Sequence, residues 1–259
     1  MAWWSRSESR RETSGARRSR EDVRELAARN ADAASLCAAG RAPEAVPLLE
    51  QALAGCRSAL GSDHPATLTV AGNLGAAVMA AGRWREGVDL MTTNLAERTR
   101  VFGDDDPRTL TAGDALATAY RLAGKVDEAL TLSGRVTAER RRKLGPAHPD
   151  TLTSRMGMAL ARAAAGDVES ALTLLKAALN DAEQAHGPRH PHTIALRSNV
   201  AGCQALLGRA HEAVATFERA AADSAALRGR PHPETVALYE DMANAHSPDR
   251  FAIAAGATV

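Results

Sequence analysis

The sequence predicts an all-α array in which pairs of helices follow one another along the chain. Three observations carry that expectation. A punctuation signal returns every 42 residues, a glycine series runs half a period out of step with it, and the apolar residues between them are spaced as on one helix face. Composition agrees: 57 of the 259 residues are alanine, whereas phenylalanine, tyrosine and tryptophan together make up 3%. Alanine is the strongest helix former, and a sandwich or barrel would demand β-branched and aromatic residues, so an all-β fold is excluded.

The first signal is Gly61-Ser-Asp-His-Pro-Ala-Thr-Leu, which recurs from Gly103, Gly145, Gly187 and Gly229. Proline suits the first helical position because that N–H has no intrahelical partner, and it presses the preceding residue into the extended conformation of an N-cap. Pro65, Pro107, Pro149, Pro191 and Pro233 therefore open the first helix of each pair (helix A), capped by His64, Asp106, His148, His190 and His232. The second signal, Gly40, Gly82, Gly124, Gly166 and Gly208, separates helix A from helix B. Each helix is then about 15 to 18 residues long. Helix A carries Leu68, Leu74 and Val78 on one face, and helix B carries Val88 and Met91. Small residues mark close crossings: Gly75, Ala117, Ala159, Ala201 and Ala243 in helix A, Ala45, Gly87, Ala129, Ala171 and Ala213 in helix B.

Function classes are narrowed by charge and chemistry. Thirty-two basic against 31 acidic residues leave a formal charge of +1, so no global field recruits nucleic acid, and sequence-specific nucleic-acid binding is not expected. Cys37, Cys56 and Cys203 form no C-x-x-C pair and read as small buried residues of a reducing compartment. No run is apolar enough to span a membrane and the N-terminus lacks the apolar segment of a secretion signal, so the expected location is the cytoplasm. Four regularly spaced histidines raise a metal reading. Successive helices pack roughly 10 Å apart, while zinc takes ligands at about 2 Å, and Asp106 replaces one histidine with a strong capping residue. Capping is the expected role, with no metal and no cofactor. No nucleophile elbow, zinc-protease, P-loop or dinucleotide motif is present, and the chain is not expected to be an enzyme.

Leu-Gly-x-x-His-Pro-x-Thr-Leu (Leu144 to Leu152), Asn73-Leu74-Gly75-Ala76-Ala77-Val78 and the Arg-x-x-Glu-Gly turn (Arg83 to Gly87) resemble the tetratricopeptide repeat (TPR) family, in the 42-residue form of kinesin light chains and similar bacterial proteins. The resemblance covers roughly residues 21–246. It implies a right-handed α-solenoid of about five TPR helix-turn-helix pairs plus a terminal helix. The expected organisation is a basic tail at 1–20, repeats near 21–60, 61–102, 103–144, 145–186 and 187–228, a final helix at 229–246, and a C-terminal tail at 247–259. The heptad coiled coil that precedes the repeats of kinesin light chains is missing from the short segment ahead of the first helix, so a motor role is not implied.

In this family helix A lines a concave groove. Placing Leu74 and Val78 at the family's core positions leaves residues 69, 72, 73, 76 and 79, and their equivalents, for that groove. The candidate peptide-binding residues are Asn30, Asn73, Asp114, Thr118, Arg121, Met156, Leu160, Ser198, Asn199 and Asn244, with Glu240 and Asp241 making the end of the groove acidic. An asparagine amide donates and accepts at once, which suits an extended peptide backbone. The expected function is a non-enzymatic scaffold or adaptor that grips a peptide or helix of a protein partner, anchored on Met156 and Leu160. The alternative is a regulatory sensor in which peptide or small-molecule binding alters the solenoid and releases a partner. The tail places Trp3 and Trp4 ahead of Arg6, Arg10, Arg11, Arg17, Arg18 and Arg20. It reads first as a disordered extension, with RNA, membrane or self-docking contacts as the sharper options.

Overall fold

A computed structural model of the chain describes residues 24–246; the expectations for the two tails lie outside them. Helix α1 covers 24–38. It is followed by α2 (Ala42–Leu60), α3 (Pro65–Ala80), α4 (Trp84–Phe102), α5 (Pro107–Leu122), α6 (Val126–Leu144), α7 (Pro149–Ala164), α8 (Val168–His186), α9 (Pro191–Leu206), α10 (Ala210–Arg228) and α11 (Pro233–Asn244). No strand occurs among the described residues. The fold is all-α, built of consecutive helix pairs as expected, and the chain divides into two compact units, residues 1–112 and 113–259, with the division falling inside α5.

Helices α3, α5, α7 and α9 have 16 residues and α4, α6, α8 and α10 have 19. The inequality comes from the turns. Helix A closes in a Schellman motif: at φ 81° Gly82 donates its N–H to Met79 O (2.9 Å), and Arg83 donates to Val78 O (3.1 Å). The same pair of bonds recurs after α5, α7 and α9. Helix B instead runs up to a glycine such as Gly145, whose φ of 87° and ψ of 167° are open only to a residue without a Cβ.

The caps follow the predicted chemistry. Nδ1 of His64, His148, His190 and His232 accepts the backbone N–H two residues on, at 3.1, 3.2, 3.3 and 3.3 Å. Asp106 does the same for Arg108 at 2.8 Å. Each ring thus satisfies one of the orphan donors at a helix start.

In the first unit the core gathers Leu26, Val46, Leu49, Leu53, Val70, Leu74 and Val78. Close approach requires missing side chains there. A Cβ on Gly87 would lie 2.5 Å from Met79 Cγ, and one on Gly75 would lie 2.8 Å from Met91 Cγ. In the second unit Leu152, Leu172, Leu175, Leu196 and Val200 form one cluster, and Ile194, Phe217 and Leu238 with several alanines form another. The alanines at 159, 171, 201 and 213 are buried as expected, but Ala243 is exposed, along with Val236 at 40%. Their equivalents in α9, Ala201 and Ile194, are covered by α10; among the described residues no second helix follows α11.

Arginine is placed by a rule that the apolar pattern did not reveal. In α3/α4 and α5/α6 the arginine stands on helix B: Arg98 donates to Arg108 O (3.2 Å) and Arg140 to Asp150 O (2.8 Å), while the matching helix-A positions are Ala71 and Gly113. In α7/α8 and α9/α10 it stands on helix A: Arg155 pairs with Asp181 (2.6 Å) and Arg197 with Asp223, while the matching helix-B positions are Ala182 and Ser224. Each of these pairs therefore holds one arginine at these two registers, with a small residue at the other.

Candidate functional site

The predicted groove residues are distributed over the helices A of both units. In the first unit Asn73 on α3 donates to Asn30 Oδ1 on α1 at 2.8 Å, both half-buried. The two amides order each other, and Asn73 Oδ1 and Asn30 Nδ2 have no further partner among the described residues. Thr69 is exposed, but its hydroxyl is turned back to Pro65 O (2.9 Å).

In the second unit Asp114 is committed to structure. Its carboxylate meets Arg140 at 2.9 Å and accepts the Ser154 hydroxyl at 2.8 Å, so it ties α5 to α6 and α7 with 18% of its side chain exposed. Burial pushes its carboxyl above the usual range, against the pull of Arg140 and Ser154. Thr118 is exposed and donates to Asp114 O (3.0 Å). Arg121, expected in the groove, is only 8% exposed, and burial lowers its pKa. Met79, Ala163 and Ala205, which share its register, are buried too. This column faces inward, and the open face of helix A is narrower by that column than the sequence suggested.

Met156 and Leu160 on α7 are half-buried, as are Ser198 and Asn199 on α9. Asn199 Nδ2 donates to Ala195 O (2.8 Å) and lies 3.8 Å from Met156 Sδ, so two predicted residues meet. Asn244 Nδ2 donates to Glu240 O (2.7 Å). Beside them lies an open cleft of about 200 Å³ between α9 and α11, lined by Pro191, Ile194, Ala195 and Ser198 on one side and Glu234, Ala237, Leu238 and Asp241 on the other. Of these, only Ser198 and Asp241 were assigned to the groove from sequence. The signal was present: both quartets read i, i+3, i+4, i+7, a stripe that one helix face presents. Burial, and then the neighbouring Glu240, raise the pKa of Asp241.

The histidines where α8 meets α9 pack against one another. His186, His190 and His192 stack with ring centroids 4.6 and 5.4 Å apart, His186 Nε2 donates to Ala147 O (2.6 Å), and His190 caps α9. No group of three or more His, Cys, Asp or Glu among the described residues could hold a metal ion. Burial pushes the Cys203 thiol up to about 11, away from a reactive thiolate. No described helix is long and apolar enough to cross a membrane.

Comparison with known proteins gives a consistent picture. The tetratricopeptide repeat family model matches residues 25–78, 71–142, 115–183 and 150–224. Among solved structures, a kinesin-light-chain-like protein of Podospora anserina with nearly identical TPR-like repeats, in a single-substitution variant, is 30% identical. The match covers 79% of this chain and 96% of that one, with a TM-score of 0.66. BtubC (BKLC) from P. vanneervenii is 16% identical over 92% of this chain and 87% of that one, TM-score 0.54. PlcR of Bacillus thuringiensis, solved with the peptide PapR7 and DNA, is 15% identical over 85% and 75%, TM-score 0.59. The last two likenesses concern the fold alone. No match is found among curated proteins.

Proposed function

The chain belongs to the tetratricopeptide repeat family, whose fold supports protein–protein interaction, and on that premise we propose that it is a non-enzymatic adaptor that holds a peptide segment of a partner against its helices A. The observation that carries this reading is the cleft between α9 and α11, continuous in type with the half-buried Met156, Leu160, Ser198 and Asn199. An apolar floor with a few polar groups is the usual make-up of a recognition site. At about 200 Å³ the cleft is smaller than the roughly 300–1,000 Å³ of small-molecule sites, which favours a side chain of a peptide over a small-molecule trigger. The Asn73–Asn30 pair offers a peptide backbone both an acceptor and a donor. His64, His148, His190 and His232 are held in caps, and Asp114, Asp181 and Asp223 in ion pairs.

The test is affinity purification from the native cell with the full chain and with a variant carrying Asn73→Ala, Leu160→Asp and Asn199→Ala, its helicity checked by circular dichroism. Partners specific to this surface bind the variant at least about tenfold more weakly, the loss expected from removing one buried anchor and two amides. A partner set captured equally by both proteins contradicts the groove reading.

A further inference from the structure

Three of the half-buried aspartates of the second unit have an arginine: Asp114 has Arg140, Asp181 has Arg155, and Asp223 has Arg197. Asp241 is the exception. It is half-buried on the wall of the α9–α11 cleft, and its carboxylate makes no hydrogen bond or ion pair among the described residues. Glu240, next to it, adds like charge, and Glu234 on the same wall is already paired with Arg228 at 3.1 Å. A carboxylate taken partly out of water without a counter-charge is unfavourable, and the cost is relieved by a cation that enters from outside.

We propose that this cleft is a subsite for a protein segment in which an aliphatic side chain is followed by lysine or arginine. The aliphatic group seats on Ile194, Ala195, Ala237 and Leu238, and the cation meets Asp241 with Glu240 behind it. The proposal rests on the reading of the helix-A face as the binding surface and adds the chemistry of its ligand. The apolar floor makes a bare cation a poor occupant, because a lysine or arginine head keeps its water while its neighbour fills the hollow. The Coulomb attraction is partly screened by solvent, so the subsite selects among partners more than it supplies affinity.

The probes are four short acetylated and amidated Gly-Ser peptides that differ only in a central Leu-Lys, Leu-Arg, Leu-Gln or Leu-Glu, titrated into the ¹⁵N-labelled full chain by NMR. Amides of α9 and α11 shift with Leu-Lys and Leu-Arg at about fivefold higher affinity than with Leu-Gln, and Leu-Glu is weaker still. Asp241→Asn keeps the shape of the wall, removes the preference, and leaves Leu-Gln binding unchanged. Equal binding of all four peptides to the cleft, or a basic preference that survives Asp241→Asn, overturns the cation subsite while the groove reading stands. If no peptide moves any helix-A amide and Ser198→Trp, which fills the cleft, leaves capture of native partners intact, both readings fall.

Discussion

His190 serves two purposes at once. Its Nδ1 must stay unprotonated to accept the His192 N–H, and its ring is stacked between His186 and His192. Burial first and His186 second lower its pKa; for His192 burial leads, followed by His190 and His186, with Asp150 opposing and His148 adding to the fall. The folded chain therefore holds these two rings neutral more firmly than the unfolded chain does. The stability they contribute is intact above the ordinary imidazole value of 6.5 and is lost as pH falls below it towards the lowered folded values. Urea midpoints measured from neutral pH down to about pH 5 should drop for the wild type and drop less for His190→Asn, which keeps a capping oxygen but cannot gain a proton. An equally steep loss in the variant removes the cluster as the cause. At the neighbouring cap the expectation is simpler: His148→Ala costs about 1 kcal/mol, whereas His148→Asp, which copies the cap that Asp106 provides, costs little or nothing at neutral pH. Chemical denaturation at pH 7 reads both. The capping role was legible in sequence because proline fixes where the helix starts. The stacking was not, since it depends on how the end of α8 meets the start of α9.

At the scale of the element, what decides is whether a helix has a neighbour at a given register. Gly87 and Gly134 occupy helices B of the same type, yet they differ in what a methyl group would meet. At Gly87 it would meet Met79 Cγ at 2.5 Å and Met79 N at 3.1 Å, whereas at Gly134 nothing lies within 4 Å. Gly87→Ala should cost about 1–3 kcal/mol by overpacking. Gly134→Ala should stabilise by up to about 1 kcal/mol, because the chain then has less freedom to lose on folding. Thermal unfolding of the two variants checks the opposite signs, and a loss of stability in both would show that α6 is packed more tightly than the structure describes. The hollow above Gly87 takes the Met79 side chain, but Arg121, Ala163 and Ala205 are buried in the same column although the equivalents of Gly87 are alanines, so it is the register that turns inward. Periodicity marks which residues share a face, but not which edge of that face the neighbouring helix will cover. Ala243 shows the reverse case, a packing residue by register that stands exposed because no described helix covers it.

Across the whole molecule the repeat was legible because every pair from α3/α4 to α9/α10 solves the same local problem with the same residues: glycine where φ must be positive, proline at the first helical position, a capping side chain before it. The proposed binding face was legible only in part. Met156, Ser198 and Asn199 do border one another on α7 and α9, but Asp114 is drawn into a bridge with Arg140 and Ser154, and the lining of the α9–α11 cleft comes from residues that look like ordinary helix-face positions. Sequence identifies a residue type; what it faces is fixed by the neighbouring helix.

The arginine rule bears on how such a chain can evolve. Each hairpin of a helix A and its following helix B holds one guanidinium, drawn from B in the α3/α4 and α5/α6 pairs and from A in the α7/α8 and α9/α10 pairs. A recombination that joined α5 to α8 would bring Gly113 and Ala182 into one hairpin, which would then hold no arginine at either register. One that joined α7 to α6 would leave the hairpin with both Arg155 and Arg140. Exchange at the Gly-x-x-His-Pro junction, between B and the next A, leaves every hairpin with its own arginine. The unit that keeps its arginine when it is duplicated, lost or traded is thus the A–B hairpin, while bonds such as Ser154 to Asp114 and Arg197 to Glu183 cross the junction and must be remade after any exchange.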